Sequence, residues 1–584
     1  MAHVCIHTGT HDASVTIVDK NKVLAHIIEE RHTHITHTGY PIISLEKIKD
    51  YVDDIDALTF SDLFVRYFDP NPYRRFLQFK GNLSEKSRQN IHDKVYTINE
   101  HHKLHAICGC SFSGFRDAVV VVLDGAGHTF DYGKENLTIY DVSEKGLDTL
   151  YRSIVGNGEN ITDDAPNFVD KKTNIGAGYC YTAITEFIGF GTLQCGKTMG
   201  LSSYGEEDDR IPTLLKDDNT AGNHAFTLGK NPEYPWMGDT YTVLNDSLLW
   251  NDPIKWKDKI KNVLSVSSLD IDKDPKRFFT NVAYRIQSDY EKYLISTCER
   301  ALSLSKSKNL ILTGGCALNC VANYKLLKSL PNDVNLFIDP VSSDDGVSIG
   351  GACSMIDTHP SNIRSEIYLG GQLQYEYDLK GNDELDFDAS SEDVAKLLTE
   401  GHIVAIAQGR SEIGPRALGN RSILFDPRVK NGKDIVNTVK KRESFRPFAG
   451  TVLLEHARDW FDMDRLEESP FMSYAIDVLP EKQELISSIV HFGKCRIQTV
   501  TREQNKHYYD LIFDFYKQTD VPILFNTSFN LAGDTIAETI DDAIITLERS
   551  EIEYLYLPEC AKLLHVATNT NANTKGTIDY RRYR

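Results

Sequence analysis

One pattern occurs twice near the start of this chain, and it restricts the fold more than any other feature. Val4–Thr8 is a strand-sized apolar run that enters Gly9-Thr10-His11-Asp12. Ser14–Val18 then alternates, Asp19-Lys20-Asn21-Lys22 turns the chain, and Val23–Ile28 returns. Further on, Ala118–Leu123 enters Asp124-Gly125-Ala126-Gly127, and Leu137–Val142 and Leu150–Ile154 follow as strands. Short β-branched runs closed by Gly, Asp and Asn turns read as strands and hairpins rather than helices. Two copies of strand, small-residue acidic turn, strand, strand predict a duplicated α/β core.

The elements that follow extend this plan. Asn281–Leu302 places Val282, Ile286, Tyr290, Tyr293, Leu294, Cys298 and Ala301 on one helical face. Leu310–Leu312 is a strand leading to Gly314-Gly315 and a helix from Cys320. Phe337–Ile338 is another strand, and Asp344-Asp345-Gly346 opens a small-residue helix. Acidic turns and glycines at the ends of parallel strands are where α/β proteins hold nucleotides. From Ser361 to Ser391, including Lys380–Glu384, the chain turns polar and irregular, and a domain boundary is expected there. A second α/β pattern opens with the helix Glu392–Leu398 and the strand Ile403–Ala407. Asn569–Thr574 and the basic, Tyr-rich end read as a tail.

Bulk properties exclude several classes. The 584 residues suffice for two or more domains, and no charged N-terminal segment precedes an apolar stretch. The aliphatic runs are strand-sized, so neither a signal peptide nor a membrane span is expected. Eleven scattered cysteines without a zinc-ribbon spacing fit reduced thiols in a cytoplasmic protein. The formal net charge of −20 disfavours non-specific attraction to long nucleic acids, duplex included, and leaves room for a local anion site.

Two clusters carry chemistry. His101 and His105 are four residues apart, on one face if the segment is helical. Such a pair can chelate a divalent ion with Asp124 and Asp344 completing the shell, and a polar solvated helix is the alternative. His32, His34 and His37 show alternate spacing without carboxylates among them and read as ordinary polar residues. Between Arg410 and Arg446 ten basic residues face four acidic ones, against the trend of the whole chain. Arginine forks match phosphate oxygens, and Pro and Gly fix the backbone between them. With the neutral donors of Asn526–Asn530, a phosphate-type ligand outweighs a solvated basic surface.

These residues also resemble a known family. Gly409–Ser422, Lys440–Phe448, Arg496–Val500 and Phe525–Asn530 look like C-terminal signatures of the NodU/CmcH-type O-carbamoyltransferases. Thr10–Ser14, Glu29–Arg31, His101–Ala106, Asp124-Gly125, Lys197–Gly200 and Gly314–Asn319 match its N-terminal half, in family order. The chain departs at Cys195, where relatives carry Glu, at His32-Thr-His34, and at Gly450 in place of Pro.

The resemblance implies a duplicated actin/hexokinase-like (ribonuclease H-like) ATPase domain over residues 1–365. A YrdC-like α/β domain is implied over residues 366–584. His101, His105, Asp124 and Asp344 would hold Fe(II) or another divalent metal. Gly125, Gly314, Gly315, Ala317 and Asn319 would line nucleotide. Arg416, Lys440, Arg442, Arg446, Arg496 and Ser528 would bind carbamoyl phosphate and the phosphates of ATP, with Mg2+. Lys440 and Arg446 would be catalytic there. Lys197 is either a phosphate contact or a solvated turn lysine. His11 is either the general base for the acceptor or a turn histidine bonded to Asp12. Cys195 reads as a plain buried thiol.

The implied reaction forms carbamoyl-adenylate and passes the carbamoyl group to a hydroxyl of a small molecule or hydroxymethylated pyrimidine nucleotide. A kinase or ATPase without a carbamoyl donor is the competing reading, and a homodimer stays open.

Overall fold

The computed structural model describes residues 2–9, 11–62, 83–91, 94–155, 166–170, 176–209, 211, 213–216, 275–363, 365–377 and 386–565. Thr10, the Lys380–Glu384 stretch and the expected tail lie outside them. The first five strands are β1 (Ala2–Thr8), β2 (Ser14–Asp19), β3 (Lys22–Ile28), β4 (Ala57–Asp62) and β5 (Val95–Ile98). They form one sheet in the order β3-β2-β1-β4-β5. β1, β2 and β3 pair antiparallel, whereas β1–β4 and β4–β5 are parallel.

The next six are β6 (Ala118–Leu123), β7 (Thr129–Phe130), β8 (Gly133–Ser143), β9 (Gly146–Val155), β10 (Asn309–Thr313) and β11 (Asn335–Ile338). With β7 set aside as a short arm on β8, their order is β9-β8-β6-β10-β11. β6–β8 and β8–β9 are antiparallel, and β6–β10 and β10–β11 parallel. The second sheet thus repeats the order and polarity of the first, strand for strand. This duplicated topology is that of an actin/hexokinase-like domain. β6 is central and covered on both faces, which is why Val119–Val122 can be an unbroken apolar run.

The helices that follow the two sheets are exchanged. His101–Ser113 follows the first sheet but packs on β6 and β10 of the second. Val347–Ser354 follows the second sheet and packs on β1, β2 and β4 of the first. The two helices cross closely, and Gly350 permits it, because a Cβ there would stand 1.9 Å from the Leu104 carbonyl oxygen. The long helix spans Pro275–Leu304, starting earlier than its apolar face, with a proline suited to a first turn.

The rest of the chain builds a third sheet from β12 (Asp386–Asp388), β13 (Val404–Ala407), β14 (Arg421–Phe425), β15 (Ala449–Leu453), β16 (Ala475–Asp477), β17 (Lys494–Val500), β18 (Ile523–Ser528), β19 (Tyr554–Leu557) and β20 (Lys562–His565). Its order is β12-β20-β19-β13-β14-β18-β15-β17-β16, with mixed polarity. The Ser391–Thr399 helix, opened by a Ser390/Asp393 capping box, packs against Lys506–Thr519. Polar contacts join this half to the duplicated one. Arg31 donates to the Gly414 carbonyl at 2.9 Å and lies 3.7 Å from Glu538. Arg410 donates to the Leu24 carbonyl at 2.8 Å. Among the described residues, no helix is long and apolar enough to cross a membrane.

Candidate active site

The His101–Ser113 helix sets His101 and His105 one turn apart, both buried. Asp124 stands at the end of β6, and Asp344 opens a short 3-10 turn after β11. Local sequence explains Asp124, since β6 ends at a small acidic turn, and Asp344 sits in the Asp-Asp-Gly turn that leads into the next helix. His101 Nε2 lies 3.3 Å from Asp124 Oδ2, 3.4 Å from Asp344 Oδ1 and 3.1 Å from His105 Nε2. His105 Nε2 is 3.5 Å from Asp344 Oδ1 and 4.0 Å from Asp124 Oδ2.

The geometry and donor set fit a divalent cation. One donor atom from each of the four residues lies within 4.8 Å of the others. Ligands bound at about 2.0–2.2 Å from one ion stand about 3.0–3.5 Å from each other, close to most of these separations. Two imidazole nitrogens with two carboxylate oxygens suit a first-row transition ion better than calcium, which prefers oxygen alone. Without a cation the charges must balance among the side chains. Burial disfavours the His101 imidazolium, but Asp344 and Asp124 outweigh it and raise its pKa to about 10. Burial likewise opposes the Asp344 carboxylate, yet His101 and His11 hold it well below the usual range.

His11 borders this cluster. Its Nδ1 is 3.0 Å from Asp12 Oδ2 and 3.8 Å from Asp344 Oδ2. Burial lowers its proton affinity, and Asp344 followed by Asp12 raises it further, to about 10. The turn bond to Asp12 is therefore present, on the rim of the same cluster. His37, read as an ordinary polar residue, also reaches Asp12, with Nδ1 2.8 Å from Oδ1. Its backbone N–H donates to Glu30 at 2.8 Å, and His34 lies 3.1 Å from Asp542. Sequence spacing could not find Asp12 and Asp542, because the fold delivers them from other segments, whereas Glu30 lies seven residues before His37.

The glycine turns meet at Asp124. Its Oδ1 accepts from Gly125 N at 2.7 Å and lies 3.3 Å from Gly315 N. Gly314 has φ +87°, and a Cβ there would be 2.5 Å from the Leu123 carbonyl oxygen, so the turn closes only with glycine. Ala317 is buried and its carbonyl accepts from Asn323. Asn319 caps the Cys320–Ser329 helix through Ala322 N and exchanges hydrogen bonds with Gln287. Its side chain is thus engaged in holding the turn.

Of the ten basic residues between 410 and 446, Arg416, Lys440, Arg442 and Arg446 converge, and Arg496 of β17 joins them. Lys440 is buried, and its ammonium donates to the Asn530 carbonyl at 2.8 Å and Asn530 Oδ1 at 3.0 Å, 3.4 Å from Ser528 Oγ. Burial, then Arg442 and Arg446, push its pKa well down. Burial, Arg446 and Arg496 do the same for Arg442. Arg416 is pushed to about 9 by burial, with Arg496 next. Among the described residues, Glu443 is the one carboxylate within ion-pair reach of these five, 3.7 Å from Arg446. Like charges held together in buried and partly buried positions can bind an anion carrying several oxygens. Arg410, Arg421 and Arg428 do not join: they bind backbone carbonyls or Asp426. Lys197 pairs with Glu443 at 2.6 Å, beside this group. Cys195 packs against Thr182 and Thr185, its thiol raised by burial.

The two clusters communicate through one turn. Arg416 donates to the Leu318 carbonyl at 3.1 Å, and Leu318 ends the Gly315–Leu318 turn that begins beside Asp124. The buried His/Asp cluster and the basic cluster are thus bridged by glycine-rich backbone, an arrangement suited to group transfer. The chain belongs to the carbamoyltransferase family: the family's N-terminus matches residues 56–353 and its C-terminus residues 395–562. It is a carbamoyltransferase. Among its relatives is the nodulation protein NolNO of Sinorhizobium fredii, 28% identical over 94% of this chain and 78% of that protein. An uncharacterized protein of Synechocystis is 30% identical over 95% of this chain and 96% of its own length. The 3'-hydroxymethylcephem-O-carbamoyltransferase of Streptomyces clavuligerus is 32% identical over 61% of this chain and 62% of its own.

Proposed function

We propose that this carbamoyltransferase uses ATP and carbamoyl phosphate to carbamoylate a hydroxyl group. Residues 1–365 would be the transfer half and residues 366–584 a YrdC-like activation half. The observation that carries the reading is the excess of positive charge in the group Arg416, Lys440, Arg442, Arg446 and Arg496, which has Glu443 as its one nearby carboxylate among the described residues and is tied by Arg416 to the turn beside Asp124. In the activation half, carbamoyl phosphate and water give carbamate and inorganic phosphate. A carbamate oxygen then attacks the α-phosphorus of ATP, forming carbamoyl-adenylate and expelling pyrophosphate. Lys440 and the arginines stabilise the charge that builds on phosphate oxygens, and Ser528 adds a neutral donor.

In the transfer half, the acceptor hydroxyl attacks the carbamoyl carbon, the bond to AMP breaks, and the hydroxyl proton leaves. His101, His105, Asp124 and Asp344 would hold Fe(II) or another divalent ion, which supplies positive charge for binding and polarising the carbamoyl group. His11 sits where it can take the proton. The four residues would hold a cation close to His11, whose positive charge would offset the pull of Asp344 and favour the neutral, basic imidazole. The acceptor is a hydroxyl-bearing small molecule or nucleotide. Purified protein with ATP, Mg2+ and Fe(II) is assayed for pyrophosphate and for carbamoyl-adenylate by mass spectrometry, with and without carbamoyl phosphate. Pyrophosphate that requires carbamoyl phosphate supports the proposal. ATP turnover indifferent to it overturns the donor and leaves a kinase or ATPase on this fold.

A further inference from the structure

We infer that Glu135, braced by Arg152, is a positioning residue that sets the distance between the two elements carrying His101 and Asp124. This rests on the metal reading above. Glu135 is 1% exposed, Arg152 4%, and both lie behind the cluster, with no ligand atom of their own in it. Glu135 Oε1 is 3.3 Å from the backbone N of His102 and accepts from the backbone N–H of His128 at 3.0 Å. The first of these donors is one residue from His101, and the second is four residues after Asp124.

The arrangement fills a gap at the helix start. Glu100, at the N-cap of the His101–Ser113 helix, makes no side-chain cap bond, so a first-turn N–H needs another acceptor. Glu135 provides it from a neighbouring strand, and a carboxylate also suits the positive end of the helix. The same residue grips the Asp124 loop through its backbone, since Gly127 N donates to the Glu135 carbonyl at 2.8 Å. One side chain therefore fixes the helix to the loop.

Its second oxygen is fixed as well. Thr138 Oγ1 donates to Oε2 at 3.3 Å, and Arg152 Nε lies 3.2 Å from it. The guanidinium is held by Tyr132, to which Nη1 donates at 3.0 Å, and by the Phe130 ring 4.3 Å away. A buried pair so enclosed is rigid, and replacing the carboxylate leaves an uncompensated charge. In Glu135→Gln the amide NH2 must face one of these donors, so a hydrogen bond is lost on one side or the other. His101 and Asp124 then drift relative to one another.

Calorimetric titration of the metal-stripped full chain with Co(II), read with the visible Co(II) spectrum and the melting midpoint, tests this. Wild type is expected to bind one ion. Glu135→Gln should bind about 10- to 100-fold more weakly with an altered spectrum, as expected for groups that orient ligands. Arg152→Lys, which keeps the charge but loses the planar fork, should fall between the two and decides the matter if Glu135→Gln does not fold. Equal affinities and spectra in wild type and variants overturn the inference and leave the metal site standing. A lowered midpoint with wild-type affinity and spectrum also overturns it, as a purely structural role. Failure of the wild type to bind Co(II) overturns the metal reading itself.

Discussion

Gly350→Ala tests whether the crossing of the two exchanged helices controls the metal cluster. The added methyl would lie 1.9 Å from the Leu104 carbonyl oxygen, a backbone atom that no rotamer change can move. To reach ordinary contact of about 3.4 Å the helices must part by roughly 1.5 Å. Overpacking of this kind costs about 1–3 kcal/mol, and the contact here is severe enough for about 3. Alanine returns about 1 kcal/mol of helix propensity, leaving a net loss of about 2 kcal/mol. The geometric effect is larger than the energetic one. His101 and His105 ride on one helix and Asp344 opens the turn before the other. Metal sites tolerate ligand displacements of only about 0.2 Å, so affinity should fall at least 100-fold. Urea unfolding with and without Co(II), together with a calorimetric titration, measures both effects. A variant with the wild-type midpoint and a metal Kd within twofold of wild type refutes the reasoning.

Three further outcomes are expected. His101→Ala should abolish metal binding and carbamoyl transfer while carbamoyl-phosphate-dependent pyrophosphate release stays within about threefold, as measured in parallel assays of the two half-reactions. Arg446→Ala should cut pyrophosphate release by about 100- to 1000-fold while the melting midpoint holds or rises, because relief of a largely buried charge and of its repulsion with Arg496 and Arg442 offsets the lost pairing with Glu443. Burial opposes the Glu538 carboxylate, and Arg31, His32 and Arg421 more than offset this, so its folded pKa lies below the usual glutamate value. Its stabilising contribution is therefore present above the unfolded pKa of about 4.5 and lost as pH falls through the folded value. Urea melts of Glu538→Gln should show a shallower loss of stability on acidification below about pH 4.5 than wild type.

The strands of the duplicated core were legible because their signals are local. Apolar runs such as Val119–Val122 end at glycine and aspartate turns that permit little else. The helical pairing of His101 with His105 was equally local, and the strand-end position of Asp124 followed from turn chemistry, whereas Asp344 lies in a 3-10 turn six residues beyond β11. What could not be read is the exchange of helices between sheets, since nothing in Leu104 or Gly350 announces a partner far away in sequence. Composition also could not separate the arginines. Arg421 is as basic as Arg416, but it lies on β14 facing the carbonyls of Gln408 and Glu538, which occupy its donors. His37 read as an ordinary polar residue because Asp12, the carboxylate its ring reaches, comes from a distant segment. Glu135 carried no sequence signal, as two of its carboxylate's partners are backbone N–H groups and Arg152 is brought to it by strand pairing.

The exchanged helices also dictate an order of assembly. The ligands are spread from His101 to Asp344, and the last is delivered only by the turn leading into the helix that returns to the first sheet. A nascent chain emerging from the ribosome up to β10 lacks Asp344 and holds three of the four donors. Closure of the site then requires that returning helix to slide under the first sheet and meet Leu104. An ion held by these four residues would therefore find its full ligand set only after residue 344 is made, and it would tie the first repeat to the second.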